Sequence, residues 1–121
     1  MKICVTSKGN NLDSEIDPRF GRCQNFIIID AETLEFEAIE NPNIQTTGGA
    51  GIQSAQLIAS KDATIVLTGN VGPNAFQSLQ AAGIDIIIGV SGSVKSSVEK
   101  FNNGELKPTQ GPSVESHFGS R

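Results

Sequence analysis

The chain has 121 residues, 13 acidic against 9 basic, and a formal net charge of −4, enough for one hydrophobic core and too short for two comfortable domains. Aromatics make up 5%, six Phe with no Trp or Tyr, which argues against the stacking platforms of single-strand nucleic-acid binders. The acidity argues against the cationic stripe a phosphate backbone needs. No stretch approaches the length of a membrane span or a signal peptide's apolar region, so a cytoplasmic protein with no membrane or nucleic-acid partner is expected.

Lys2 to Thr6, KICVT, is short, β-branched and free of Gly and Pro, and reads as a buried strand. A polar loop, SKGNNLDSEIDPRFGRC, follows. NFIIID and LEFEAI, joined by AET, predict an antiparallel hairpin whose second strand, alternating apolar and acidic residues, is half exposed. Past NPNIQTTGGAG the apolar period becomes helical at Ile52, Ala55, Ile58 and Ala59, and ATIVLTG is a continuously apolar strand. Gly72-Pro73 opens a helix with Ala75, Phe76, Leu79 and Ala82 on its buried face, and Gly83 closes it. IDIIIG is a further strand. Val94, Val98 and Phe101 mark a last helix, capped by Ser93 and ended by Asn-Asn-Gly.

These signals predict strands near 2–7, 25–30, 34–40, 63–68 and 84–88, and helices near 50–61, 73–82 and 93–102. The order βββαβαβα implies an α/β fold with a mixed five-stranded sheet. Its first, fourth and fifth strands run parallel, the hairpin lies at one side, and helices cover the faces. Residues 1–106 form the single domain, and 107–121, KPTQGPSVESHFGSR, read as a flexible tail.

TTGGAGIQSA, TGNVGPNAF and GVSGSVKSS each place a Gly-rich turn before a helix. In a parallel α/β sheet such turns gather at the carboxyl edge, where helix N-termini offer N–H groups and partial positive charge. Arg19 and Arg22 of DPRFGRC join that rim if the first strand ends there. The residues therefore point to an anionic ligand. The plainer reading is that any tightly connected α/β domain needs such turns. No G-x-G-x-x-G after a strand and no GxxxxGK[ST] occurs. Carboxylates do not converge at the strand ends, Asp62 and Asp85 falling at strand starts, so metal-dependent hydrolysis has no support.

Cys4, inside a strand, reads as a small buried hydrophobe. Cys23 closes the arginine loop, where solvent and positive charge favour a thiolate, and His117 rides on the tail; these two are the candidate metal ligands. Against them stand a structural thiol and a solvated tail residue.

Taken together, DPRFGRCQNFIIID, GGAGIQSAQLI, TIVLTGNVGPNAFQSLQAAGIDI and VKSSVEKFNNGEL resemble the dinitrogenase iron-molybdenum cofactor biosynthesis family over nearly all of the chain to Leu106. The resemblance implies a ribonuclease H-like, three-layer fold without nuclease function. It also implies non-catalytic binding and carriage of an anionic metal–sulfur cluster containing molybdenum, iron or both, with a cluster donor or acceptor protein as partner. On the matching positions it implies Arg19, Phe20, Gly21, Arg22, Gly49, Gly51, Asn70 and Gly72 as cofactor-binding residues. A molybdenum cluster held mainly by electrostatics, as in one stand-alone branch of the family, fits as well as an iron-molybdenum cofactor. The alternative function is a metal-free module that uses the same rim for a small anion or a regulatory partner; an unrecognised hydrolase ranks third.

Overall fold

The computed structural model describes residues 1–42 and 49–109. Five strands, β1 (Lys2–Ser7), β2 (Asn25–Asp30), β3 (Phe36–Glu40), β4 (Ala63–Leu67) and β5 (Asp85–Ile87), form one sheet in the order β3-β2-β1-β4-β5. The β1–β2 and β2–β3 pairs are antiparallel, and β1–β4 and β4–β5 are parallel. The mixed sheet and its hairpin at one side are thus as expected.

Period-two alternation sends successive side chains of each strand to opposite faces. Cys4, Phe26, Ile28, Val66 and Ile86 pack on one face with α1 (Ala50–Ser60) and α2 (Pro73–Ala81). Ile3, Val5, Ile27, Ile29, Ile65 and Leu67 pack on the other with α3 (Val94–Asn102). The result is three layers, with two helices on one face of the sheet and one on the other.

Three local readings differ from the structure. β3 begins at Phe36 rather than residue 34, because Leu34 adopts the left-handed region (φ 65°) and donates its N–H to the Asp30 carbonyl (2.8 Å), closing the turn. On α1 the buried face is Ala50, Ser54, Ala55 and Ile58, while Ile52 is 37% exposed. The Ser54 hydroxyl is fully buried and has no hydrogen-bond partner among the described residues. The start of the expected tail is also tied down. Leu106 packs on the α3-side core, the Thr109 N–H donates to the Ile86 carbonyl (2.6 Å), and the Thr109 hydroxyl accepts from the Ile88 N–H (3.3 Å). Edge strand β5 accounts for this, since its outer N–H and C=O groups need partners.

Candidate functional site

The carboxyl ends of β1, β4 and β5 share one edge of the sheet, and the loop 8–24 is stitched to it through Asp17. The Asp17 N–H donates to the Thr6 carbonyl (3.0 Å), and the Thr6 hydroxyl donates to the Asp17 carbonyl (2.6 Å). The Thr68 hydroxyl on the neighbouring chain end lies 2.8 Å from that of Thr6. A hydroxyl has one proton, so Thr68 is the donor in that contact. One residue further, the Asn70 N–H donates to the Pro18 carbonyl (2.7 Å) and the Phe20 N–H to the Asn70 carbonyl (3.2 Å), an isolated bridge that pairs Arg19 with Asn70. A Cβ on Gly69 would stand 2.7 Å from Pro18 Cα; only glycine lets the two loops approach so closely.

Within DPRFGRC, Phe20 is the anchor. Its ring is 8% exposed and lies 5.9 Å, centroid to centroid, from Phe26 in the core. Gly21 has φ +92° and its backbone packs on the first turn of α1; a Cβ there would meet Gly51 N and Cα at 3.2 Å. Gly51 in turn faces α2, where a Cβ would stand 2.7 Å from that of Ala75. Asn41, 4% exposed, clamps the loop from the end of β3, donating its Nδ2 hydrogens to the carbonyls of Gly21 (3.0 Å) and Cys23 (2.9 Å). The structure thus brings Arg19, Phe20, Gly21, Gly51 and Asn70 into one contiguous patch. Gly49 and Gly72 are the N-caps of the adjoining helices. A glycine supplies no capping side chain, so neither N-cap residue offsets the partial positive charge of its helix's first turn.

The third expected helix start is not part of this rim. In α3 the Val94 and Lys95 N–H groups donate to the carbonyls of Ser14 and Leu12 (both 2.9 Å), and the Ser96 N–H donates to the Ser93 hydroxyl (3.1 Å). Loop 8–24 itself caps that helix, leaving its first-turn donors occupied. The three similar Gly-rich turns therefore have different fates, set by which segment the chain lays over each.

Arg19 is the exposed cation of the patch, and it is paired with a carboxylate. Its side chain is 60% exposed, while the carboxylate beneath it, Asp17, is 1% exposed. Nε donates to Oδ1 (3.1 Å), Nη2 to Oδ2 (3.2 Å) and the backbone N–H to Oδ1 (3.1 Å). Hydrogen bonding to Asp17, then its charge, raises the guanidinium pKa further. Arg22 is half buried, and its N–H donates to the Arg19 carbonyl (3.3 Å).

Cys23 corrects one expectation. Its residue surface is fully buried, and desolvation, reinforced by the Asp17 carboxylate, pushes the thiol pKa up to about 12. The N–H groups of Cys23 and Ser7 and the Arg19 charge act in the opposite direction and do not prevail. The loop's positive charge points outward, and the sulfur points into the core. Cys4 is likewise buried and its thiol pKa is raised. Among the described residues no three His, Cys, Asp or Glu side chains gather as a metal site. His117 lies outside the described residues.

Sequence reasoning passed over Asp17, Gly69 and Asn41. Asp17 and Arg19 stand two apart in a Pro-containing turn, a spacing at which an aspartate can turn back on nearby N–H groups. Gly69 and Asn41 leave no comparable local signal, because their partners are far away in the chain. A cavity of about 230 Å³ at the opposite end of the sheet, lined by Lys2, Asp30, Glu35 and Glu37 among others, is a poor host for an anion because carboxylates dominate its charge.

The chain is similar to three relatives over most of its length. The chain is 41% identical to the orange protein of Desulfovibrio gigas, solved in its apo form, with a TM-score of 0.90 over 93% of this chain and 95% of that one. It is 33% identical to a candidate NifB protein of Thermotoga, with a TM-score of 0.77 over 88% of this chain and 91% of that one. An uncharacterized protein of Methanocaldococcus jannaschii is 33% identical over 110 residues, 88% of this chain and 90% of the relative. The dinitrogenase iron-molybdenum cofactor family matches residues 1–104, from the start of β1 past the end of α3, and the chain belongs to that family.

Proposed function

We propose that the protein binds and carries an anionic metal–sulfur cluster, containing molybdenum, iron or both, at the carboxyl edge of its sheet, and turns over no substrate. The observation that carries this reading is the seating of the arginine loop on the start of α1, which itself packs on the start of α2: Gly21 lies against Gly51 and Gly51 against Ala75, while Arg19, two residues before Gly21 and bridged to Asn70, keeps its side chain 60% exposed. Cluster sulfides are hydrogen-bond acceptors with net negative charge. Glycine backbones let N–H groups come close to them, and a guanidinium supplies positive charge and directed donors. The family supports metal–sulfur cargo over a generic anion. Similarity to a protein solved in an apo form supports a loaded state.

The cargo is held by charge and N–H donors rather than by a Cys23 thiolate, since the sulfur is buried and stays protonated well above neutrality. A ribonuclease H-like fold and a donor or acceptor protein for the cluster belong to the same reading.

The test is anaerobic titration with tetrathiomolybdate, followed by visible absorption and by molybdenum retained after desalting. Binding should weaken as salt rises from about 0.1 M to about 1 M, over which the Debye length shrinks from about 10 Å to about 3 Å. It should fall several-fold on Arg19→Ala or Arg22→Ala and survive Cys23→Ser. If phosphate binds equally well and no molybdenum is retained, the protein is a metal-free anion binder instead.

A further inference from the structure

We propose that Asp17 is the positioning residue of this site: it fixes the Arg19 guanidinium so that the anion is recognised there by aimed N–H groups rather than by net charge. The inference rests on the cluster-binding reading above and concerns how its key arginine works.

Asp17 is held through both its backbone and its side chain. Its carboxylate is 1% exposed beneath an arginine that is 60% exposed. Its N–H and C=O are both bonded to Thr6, at the end of the central strand, by contacts of 3.0 and 2.6 Å. The carboxylate therefore has a fixed position and direction, and it grips the Nε–Nη2 edge of Arg19 with two parallel bonds. A planar guanidinium held along one edge has its remaining N–H groups set in space without paying the rotamer entropy an unheld arginine would lose on binding. Those groups, on Nη1 and the outer side of Nη2, lie on the half of the fork turned away from Asp17.

The carboxylate also cancels the arginine charge. Beyond a few ångströms Asp17 and Arg19 act as a dipole, so an approaching anion gains little from Arg19 as a point charge. What it gains is short, directional hydrogen bonding at contact. This separates Arg19 from the other sources of attraction at the rim: its contribution should persist at high salt, where screened charges fade.

Two variants test this with tetrathiomolybdate at about 1 M salt. Arg19→Lys preserves the charge and loses the fork; it should bind about as weakly as Arg19→Ala, roughly ten-fold below wild type, the effect of one charge-assisted hydrogen bond. Asp17→Asn keeps the shape but turns an amide toward a guanidinium edge that needs acceptors; it should show a similar loss at high salt and a smaller one at low salt, where removing a negative charge offsets part of the damage. Thermal melts establish that each variant is folded. Should Asp17→Asn not fold, Arg19→Lys decides, since that side chain is largely in solvent. Wild-type affinity in Arg19→Lys overturns the positioning role while leaving cluster binding intact. Absence of binding by the wild-type protein overturns both.

Discussion

At Cys23 the decisive fact is the burial of the sulfur. Position alone, at the end of a loop bearing two arginines, predicts a reactive thiolate; burial inverts this, because a charge transferred from water into the core costs more than Arg19 returns. A thiol whose pKa is about 12 in the fold against an ordinary 9.0 favours folding fully below pH 9, where both states are protonated. That contribution is lost as pH climbs from 9 toward 12, because the unfolded chain releases the proton first. Stability should therefore drop by on the order of 1 kcal/mol per pH unit per buried thiol across that window, with Cys4 contributing in the same direction. Urea midpoints measured across it should fall steeply for wild type and less steeply for the Cys4→Ala, Cys23→Ala protein. Parallel slopes would mean that the thiols ionise alike in both states. Asp17 presents the opposite case, a buried side chain that accepts three N–H bonds from Arg19.

At the scale of elements, the closeness of α1 and α2 at their N-terminal ends depends on Gly51. Alanine is intrinsically the better helix former by about 1 kcal/mol. Here, however, its methyl would stand 2.7 Å from the Ala75 Cβ, which is fixed to backbone and cannot swing aside. Overpacking of this kind costs about 1–3 kcal/mol, so Gly51→Ala should lower Tm by several degrees and weaken tetrathiomolybdate binding by shifting the helix start on which Gly21 packs. Replacing Ala75 by Gly in the same chain should recover the affinity; failure to do so would place the defect elsewhere. The helices also show why a shared motif does not imply a shared task. α1 and α2 begin at bare glycines, whereas α3 begins at Ser93 and is capped further by Ser14 and Leu12.

For the whole molecule, a sheet with β3 and β5 at its edges must manage two exposed rows of backbone groups. β3 carries Glu37 and Glu40, charges that discourage pairing with another strand, while β5 takes Thr109 as a partner. Phe36 stays 42% exposed because the single helix on its face does not reach the outermost strand. Ending the chain at Leu106 should remove both Thr109 contacts, costing about 1–2 kcal/mol and lowering Tm by roughly 4–8 °C, even though those residues read as a structureless tail. An unchanged Tm would show that the β5 edge gains nothing from them.

The elements and their order were legible in the chain because local rules suffice for them. Strand and helix periods switch at Gly49, prolines and glycines stand at helix ends, and β-branched runs mark the buried strands, so boundaries match to within about two residues. The clustering of Arg19 and Arg22 with glycines in one loop was also legible, and the proposed anion site rests on it. Tertiary structure alone decided that the start of α3 is capped by a distant loop, that the Cys23 sulfur turns inward, and that the Asp17 carboxylate lies beneath Arg19. Each of these depends on segments distant in sequence arriving at one place: Ser14 at α3, Asn41 at Gly21, Thr6 at Asp17 and Thr68 at Thr6. Burial and hydrogen-bond partnership are properties of that arrival, and no window along the chain contains them.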